Sequence, residues 1–208
     1  ADRDMNIRMS LIIALGLVSE PKAKDELMTF LQDKDETIRG IAALSLAQSS
    51  LKNPVKTPTN KVIADNLLKS LQNCKREGVG LTLLALGIMG EERVKPELKR
   101  IMEDRRKSDI VRGAVIITYG LLKDKDAVPL LTEMFKKRPE DPLLAPYILM
   151  ALGMIGDERA IGAIQPVWDK VDKNISAMAY TNMAVALTML GKRNEVVAQI
   201  VKHTTKEY

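Results

Sequence analysis

The residues that could do chemistry are few in this chain, and their surroundings limit what they could do. The only cysteine, Cys74, stands between Asn73 and Lys75-Arg76. Those cations favour a thiolate, but the position falls at the end of a predicted helix, where the dipole opposes an anion. Cys74 is therefore expected to be an ordinary structural thiol. The only histidine, His203, lies beside Lys202 near the end of the chain. It has no second ligand or base with which to hold a metal or relay a proton. Trp168 adjoins Asp169, yet it also falls on an apolar helical stripe, which assigns it to the core. No catalytic constellation follows from these residues, and no cofactor or metal is implied.

Charge is the remaining source of chemistry. Lys and Arg number 32 against 27 Asp and Glu, a net charge of +5, and the two signs are interleaved. The most basic stretch contains Arg93, Lys95, Lys99, Arg100, Arg105, Arg106 and Lys107 against Glu97, Glu103 and Asp104. Such a cluster is either a solvated helix face or a surface for an anionic partner, an acidic protein or a nucleic-acid phosphate. Nucleic-acid binders usually interleave aromatic residues with such charge, and this stretch has none. Methionines 150, 154, 178, 183 and 189 could make an adaptable surface but read first as core filler.

The elements that must position these residues come from an internal repeat. Ala14-Leu15-Gly16, Ala85-Leu86-Gly87, Thr118-Tyr119-Gly120, Ala151-Leu152-Gly153 and Ala186-Leu187-Thr188 align, with Leu46-Ala47 filling the second slot. Column positions 16, 47, 87, 120, 153 and 188 are 31, 40, 33, 33 and 35 residues apart. A period near 33 is the mark of a repeat architecture. Arg8, Arg39 and Arg112 recur eight residues before the column. After it comes an apolar stripe spaced by four: Ala23, Leu27, Leu31; Val94, Leu98, Met102; Ala127, Leu131, Phe135; Ala160, Ile164, Trp168. Four-spaced apolar residues make one face of a helix. In the second unit the stripe is Ile63, Leu67, Leu71, displaced by an insertion in Ser49 to Asn60 whose Pro54 and Pro58 predict a loop.

Each unit is thus a helix A ending at the small-residue column, a tight turn, a helix B with the stripe, and a polar link. Gly90, Gly156 and Gly191 stand three residues after the column, where a helix end calls for a left-handed residue. Glu91 and Asp157 follow, placing a carboxylate at the start of helix B. Pro96 and Pro129 share an offset early in helix B, where a missing N–H costs least. Gly16, Ala47, Gly87, Gly120 and Gly153 would let a neighbouring helix approach closely. Around Leu144, Ile148, Ala151, Leu152 and Ile155 the fifth helix A is apolar on most sides, as a helix between neighbours must be. The predicted organisation is one repeat domain over 1–208, with units near 4–33, 34–74, 75–105, 106–139, 140–172 and 173–208.

Hydrophobic residues make up 46% of the 208 and aromatic residues only 3%, which favours an all-α core of Leu, Ile, Val, Ala and Met. The longest uncharged apolar run, Leu143 to Ile155, is shorter than the roughly 18–20 residues of a membrane span. A single cysteine fits a reducing, cytoplasmic setting. The chain begins at Ala1 rather than Met, which leaves room for an upstream signal or domain. The first unit opens without a clear polar cap, an end suited to self-association or to continuation in a larger parent.

Segments such as Ala151-Leu-Gly-Met-Ile-Gly-Asp-Glu-Arg-Ala-Ile-Gly-Ala-Ile164 and Asp33-Lys-Asp-Glu-Thr-Ile-Arg-Gly-Ile-Ala-Ala-Leu44 resemble HEAT repeats of the short bacterial type, also found in phycobilisome lyase proteins. The resemblance covers nearly the whole chain. It implies a right-handed α-α superhelix, a HEAT or armadillo-like solenoid of about six helix pairs. It does not fix a function, because such repeats serve scaffolds, lyases, hydroxylases and glycosylases. The di-iron hydroxylases of this type need His-Glu pairs, which a single histidine cannot supply. The glycosylases need an aromatic-lined cleft, for which Trp168 beside Asp169 is too little. A bilin lyase shares the repeats, but nothing else here points to a bilin. The expectation is a non-enzymatic scaffold.

In such a stack the B helices line the concave side. If the stripe faces the core, the outward positions are Met28, Thr29, Gln32; Leu68, Lys69, Gln72; Lys99, Arg100, Glu103; Thr132, Glu133, Lys136; and Gln165, Pro166, Asp169. The expected partner-binding residues are Met28, Leu68, Lys69, Lys99, Arg100 and Lys136, with exposed apolar groups toward the N-terminal end and positive charge at the centre. That mixture suits a protein or peptide better than a phosphate backbone; a nucleic-acid binder centred on Lys99 and Arg100 is the alternative.

Overall fold

The computed structural model describes residues 3–18, 20–51, 58–73, 77–104, 106–170 and 176–204. Among them are twelve α-helices, three short 3-10 turns and no strand. The class is all-α, as composition predicted. The helices are α1 (Arg3–Val18), α2 (Pro21–Phe30), α3 (Glu36–Ser50), α4 (Pro58–Asn73), α5 (Glu77–Ile88), α6 (Lys95–Glu103), α7 (Asp109–Leu121), α8 (Val128–Lys137), α9 (Ala145–Ile155), α10 (Ile161–Asp169), α11 (Ala177–Met189) and α12 (Arg193–Thr204). Odd-numbered helices end at the small-residue column; the four-spaced stripe runs along α2, α4, α6, α8 and α10, starting in the 3-10 turn ahead of each of the last three, and is not continued in α12, where the equivalent positions are Glu195, Gln199 and His203.

The chain divides into two compact units, 1–118 and 119–208, the boundary falling in the last turn of α7. In the first, α1, α3 and α5 pack side by side, with α2 against α1 and α3, and α4 against α3 and α5. In the second, α9 packs on α11, α8 on α9 and α10, α10 on α11, and α12 on α11. Each unit is therefore built from a layer of odd helices covered by even ones.

The stripe holds almost residue for residue. Ala23, Leu27, Leu31, Ile63, Leu67, Leu71, Val94, Leu98, Ala127, Leu131, Phe135, Ala160, Ile164 and Trp168 are all buried. Met102 is the departure: it is half-buried, and Ile101 fills the core in its place.

The small-residue column sits where odd helices touch. A Cβ on Gly16 would lie 2.9 Å from Ser45 Cα, one on Gly120 2.9 Å from Ala151 Cα, and one on Gly153 2.8 Å from Met189 Sδ. Helix ends are fixed as the turn residues predicted. Gly90, Gly156 and Gly191 have φ of 68°, 70° and 88°. The fourth unit has Lys123 at the same offset, and it is held there at φ 51°. Pro96 and Pro129 lie in the first turns of α6 and α8.

The predicted Ser49–Asn60 loop is shorter than expected. Helix α3 runs on through Ser49 and Ser50, both buried, and Asn60 is buried within α4; residues 52–57 lie outside the described residues. The Ser49 and Ser50 hydroxyls each donate to the Leu46 carbonyl at 2.8 Å, which lets polar side chains end a buried helix without an unpaired group.

Candidate interaction face

The even helices present their outward side opposite the stripe. Thr29, Gln32, Lys69, Gln72, Lys99, Arg100, Glu103, Glu133, Lys136, Pro166 and Asp169 are exposed, as helix geometry requires. Met28 and Leu68 are not, nor are Thr132 and Gln165 at the same offset; all four are half-buried. Each follows a fully buried stripe residue, Leu27, Leu67, Leu131 or Ile164, and a one-residue step turns only about 100°, which leaves the side chain on the flank. Met28 is also covered across helices: Asn66 Nδ2 of α4 donates to its Sδ at 3.8 Å. The N-terminal part of this face is thus less apolar than the sequence suggested.

Met28, Leu68, Lys69, Lys99 and Arg100 belong to the first compact unit, and the Asn66–Met28 contact joins two of its even helices. Lys136 lies in the second unit, exposed on α8. Cys74 and Arg105 lie outside the described residues, as does the side chain of His203, whose backbone forms part of the last turn of α12.

Most of the described cations in the basic stretch in and around α6 are in ion pairs. Glu91 caps the turn ahead of α6 by accepting from the Arg93 N–H at 3.1 Å, and the Arg93 guanidinium donates to the same carboxylate from Nε at 2.8 Å and Nη2 at 2.7 Å. Arg93 Nη1 reaches Asp65 of α4 at 2.7 Å. The Arg93 hydrogen bonds hold the Glu91 carboxyl below its usual range, although burial opposes them. Arg100 is gripped by Glu97 on its own helix through bonds of 2.7 and 2.5 Å. Lys95 pairs with Glu92 at 3.6 Å and Arg106 with Asp104 at 3.0 Å. Lys99 is exposed and in no ion pair among the described residues.

The Glu91–Arg93 arrangement recurs ahead of α10. Asp157 accepts from the Arg159 N–H at 3.0 Å and from its Nε and Nη2 at 2.9 and 2.8 Å, and Arg159 Nη2 also donates to the Lys125 carbonyl of the preceding turn at 3.0 Å. These bonds draw the Asp157 carboxyl down to about 2. The carboxylate was expected from the sequence; the arginine two residues on was not, though its acid-x-Arg spacing at one repeat offset was the available signal. Both arginines reach the preceding unit, so they act as ties between repeats.

The recurrent arginines before the column are ties as well. Arg39 Nη1 donates to the Asp33 carbonyl at 2.7 Å, Arg112 Nη2 to the Asp104 carbonyl at 3.5 Å, and Arg8 Nη2 to the Asp33 carboxylate. Each fastens a polar link to an odd helix. Among the described residues no three of His, Cys, Asp and Glu are grouped so as to hold a metal ion, and no helix is long and apolar enough to cross a membrane. Trp168 is fully buried and stacked on Tyr180 with centroids 3.9 Å apart, which gives it to the core of the second unit. No protein-family model matches the chain, and no curated protein matches its sequence.

Proposed function

We propose that the chain is a HEAT-like repeat solenoid and that it acts as a scaffold, binding a protein or peptide through the outward side of its even helices. Met28, Leu68, Lys69, Lys99 and Arg100 would carry the contact in the first unit, with Lys136 a further contact point in the second. The repeat reading is supported by odd helices meeting at small residues, by recurrent left-handed helix ends, and by arginines that tie consecutive units.

The observation that carries the protein-binding reading is the ion pairing of the basic stretch in and around α6. Of the six described cations between Arg93 and Lys107, four (Arg93, Lys95, Arg100 and Arg106) are in ion pairs with neighbouring carboxylates. A polyanion would have to displace those carboxylates, whereas a protein surface can use both signs together with half-buried Met28 and Leu68. The alternative, a nucleic-acid binder centred on Lys99 and Arg100, draws its support from Lys99, which is exposed and in no ion pair among the described residues. A bilin or other small-molecule lyase is a weaker third reading, since only the repeat itself speaks for it.

The test is capture from the cell extract of the source with the native chain and with Lys99→Glu/Arg100→Glu, followed by reconstitution with the purified partner. Amide-exchange protection in 61–72 and 95–103 and a loss of about tenfold or more in affinity on the double charge reversal are expected. Equal affinity for both chains would move the site elsewhere. Binding of single-stranded RNA or DNA that weakens steeply with salt would put the nucleic-acid reading in its place.

A further inference from the structure

The packing of the odd helices follows one rule, and the first helix obeys only half of it. Each odd helix offers a forward stripe to its successor, carrying the column residue and the residue seven before it. Gly16 meets Ser45, Gly40 meets Leu81, Gly80 meets Ala114, Gly120 meets Ala151, and Gly153 meets Met189 and Ala186. The successor answers with a backward stripe whose centre is a small residue two before its own column. Ser45, Ala85, Thr118, Ala151 and Ala186 hold that place and are all buried.

In α1 the corresponding residue is Ala14, and it is exposed. Around it the backward side of α1 shows Ile7, Leu11, Leu17 and Val18, each about half exposed or more. Spacings of three and four put these residues on one face. An apolar helix face of this breadth, built to the pattern of an interface the chain makes repeatedly, is unlike the scattered apolar residues of an ordinary surface.

The last odd helix, α11, has the complementary half exposed. Its forward stripe is Met178, Thr181, Val185 and Thr188, all exposed. The threonines do not forbid burial. Thr181 Oγ1 donates to the Ala177 carbonyl at 2.9 Å and Thr188 Oγ1 to the Ala184 carbonyl at 2.8 Å. Thr82 and Thr118 are bonded in the same way, to Gly78 and Ala114, and are fully buried. Covering the α11 stripe therefore strands no hydroxyl.

We propose that a second copy of this chain covers these faces, the forward stripe of α11 in one molecule seating on the backward stripe of α1 in the next. The contact continues, between molecules, the interface that odd helices already make within the chain. It joins two different surfaces, so it is heterologous, and copies can add head to tail through the same pair of faces. This self-association is separate from the even-helix face and does not depend on what binds there.

Sedimentation velocity and light scattering on the whole chain, from about 1 to 200 µM, with Ala14→Glu and Val185→Glu, decide the matter. The native chain is expected to rise in mass with concentration past the dimer. Each variant alone is expected to stay near 23.1 kDa, the mass of one chain. An equimolar mixture of the two retains one good α11 face and one good α1 face, so it should reach twice that mass and stop. A native chain that stays monomeric throughout overturns the proposal. So does a Val185→Glu chain that still dimerises, which would mean α1 pairs with itself, or a mixture that remains monomeric. Both positions are exposed; if either variant loses its far-UV helical spectrum, Leu11→Lys and Met178→Lys take the same places.

Discussion

Gly16 of α1 and Ser45 of α3 meet so closely that a Cβ on the glycine would lie 2.7 Å from the serine Cβ and 2.9 Å from its backbone Cα and carbonyl oxygen. Gly153 of α9 has the same place in its repeat, but there the nearest atom is Met189 Sδ at 2.8 Å, the end of a flexible side chain. Two equivalent glycines should therefore respond differently to a methyl group. Gly16→Ala must push helix backbones apart and should cost about 1–3 kcal/mol. In Gly153→Ala the thioether can swing aside and Met189 Cβ, at 3.2 Å, must give only by a few tenths of an ångström, so the gain of roughly 1 kcal/mol in helix propensity should offset most of the cost. Urea melts of both variants followed by circular dichroism check this, and an equal cost at both sites would refute the distinction.

Lys123 offers a gain instead. It occupies the left-handed region at φ 51° where three other units use glycine, and its side chain is exposed. A residue with a Cβ pays about 1 kcal/mol or more for that conformation, so Lys123→Gly should stabilise the chain by somewhat less than that, after the added entropy of the unfolded glycine is counted. A raised urea midpoint with an unchanged slope is the expected reading. A lowered midpoint would mean that the Lys123 side chain contributes more than its backbone costs.

These two positions also show what could be read from the sequence and what could not. The small-residue column and the four-spaced stripe were legible because burial imposes a period on residue type. The left-handed turn at Lys123 was hidden because the usual signal, glycine, is missing there, although the offset from the column pointed to it. Met28 and Leu68 were placed on the correct side of their helices but taken as exposed; the neighbour that covers Met28, Asn66, is 38 residues away and no local pattern names it. Likewise, the charges of Arg93 and Arg100 were countable in the sequence, but their neutralisation by Glu91, Asp65 and Glu97 is a matter of geometry.

Acid should loosen the ties between repeats in a defined order of pH. The Arg159 side chain and N–H lower the Asp157 carboxyl from its usual 3.8 to about 2. A group whose folded value lies below its unfolded value stabilises the fold above the unfolded value, and the contribution disappears as pH falls toward the folded one. The melting temperature is thus expected to hold from neutrality to about pH 5 and to fall between roughly pH 4 and pH 2. Asp157→Asn keeps a side chain able to cap the turn but removes the charge that Arg159 binds. Its melting temperature should lie below that of the native chain at pH 7, and the gap should close by pH 2. A gap that stays constant across this range would show that the ion pair contributes nothing.

Trp168 tests the core of the second unit. It is fully buried, stacks on Tyr180, and its carbonyl accepts from Gln199 Nε2 at 3.2 Å. Its indole Nε1 is buried with no hydrogen-bond partner among the described residues. Trp168→Ala removes the ring and leaves a cavity, at a cost of about 3–5 kcal/mol. Trp168→Phe keeps a ring against Tyr180 and removes the unpaired donor, whose burial alone costs about 1–3 kcal/mol. The two effects of the phenylalanine, lost contact area and a relieved polar group, oppose each other, so its cost should be no more than about 1–2 kcal/mol. Urea melts followed by circular dichroism, which need no indole, measure both. A phenylalanine as damaging as alanine would show that the indole N–H is in fact bonded in solution, and a buried water would then be its most economical partner.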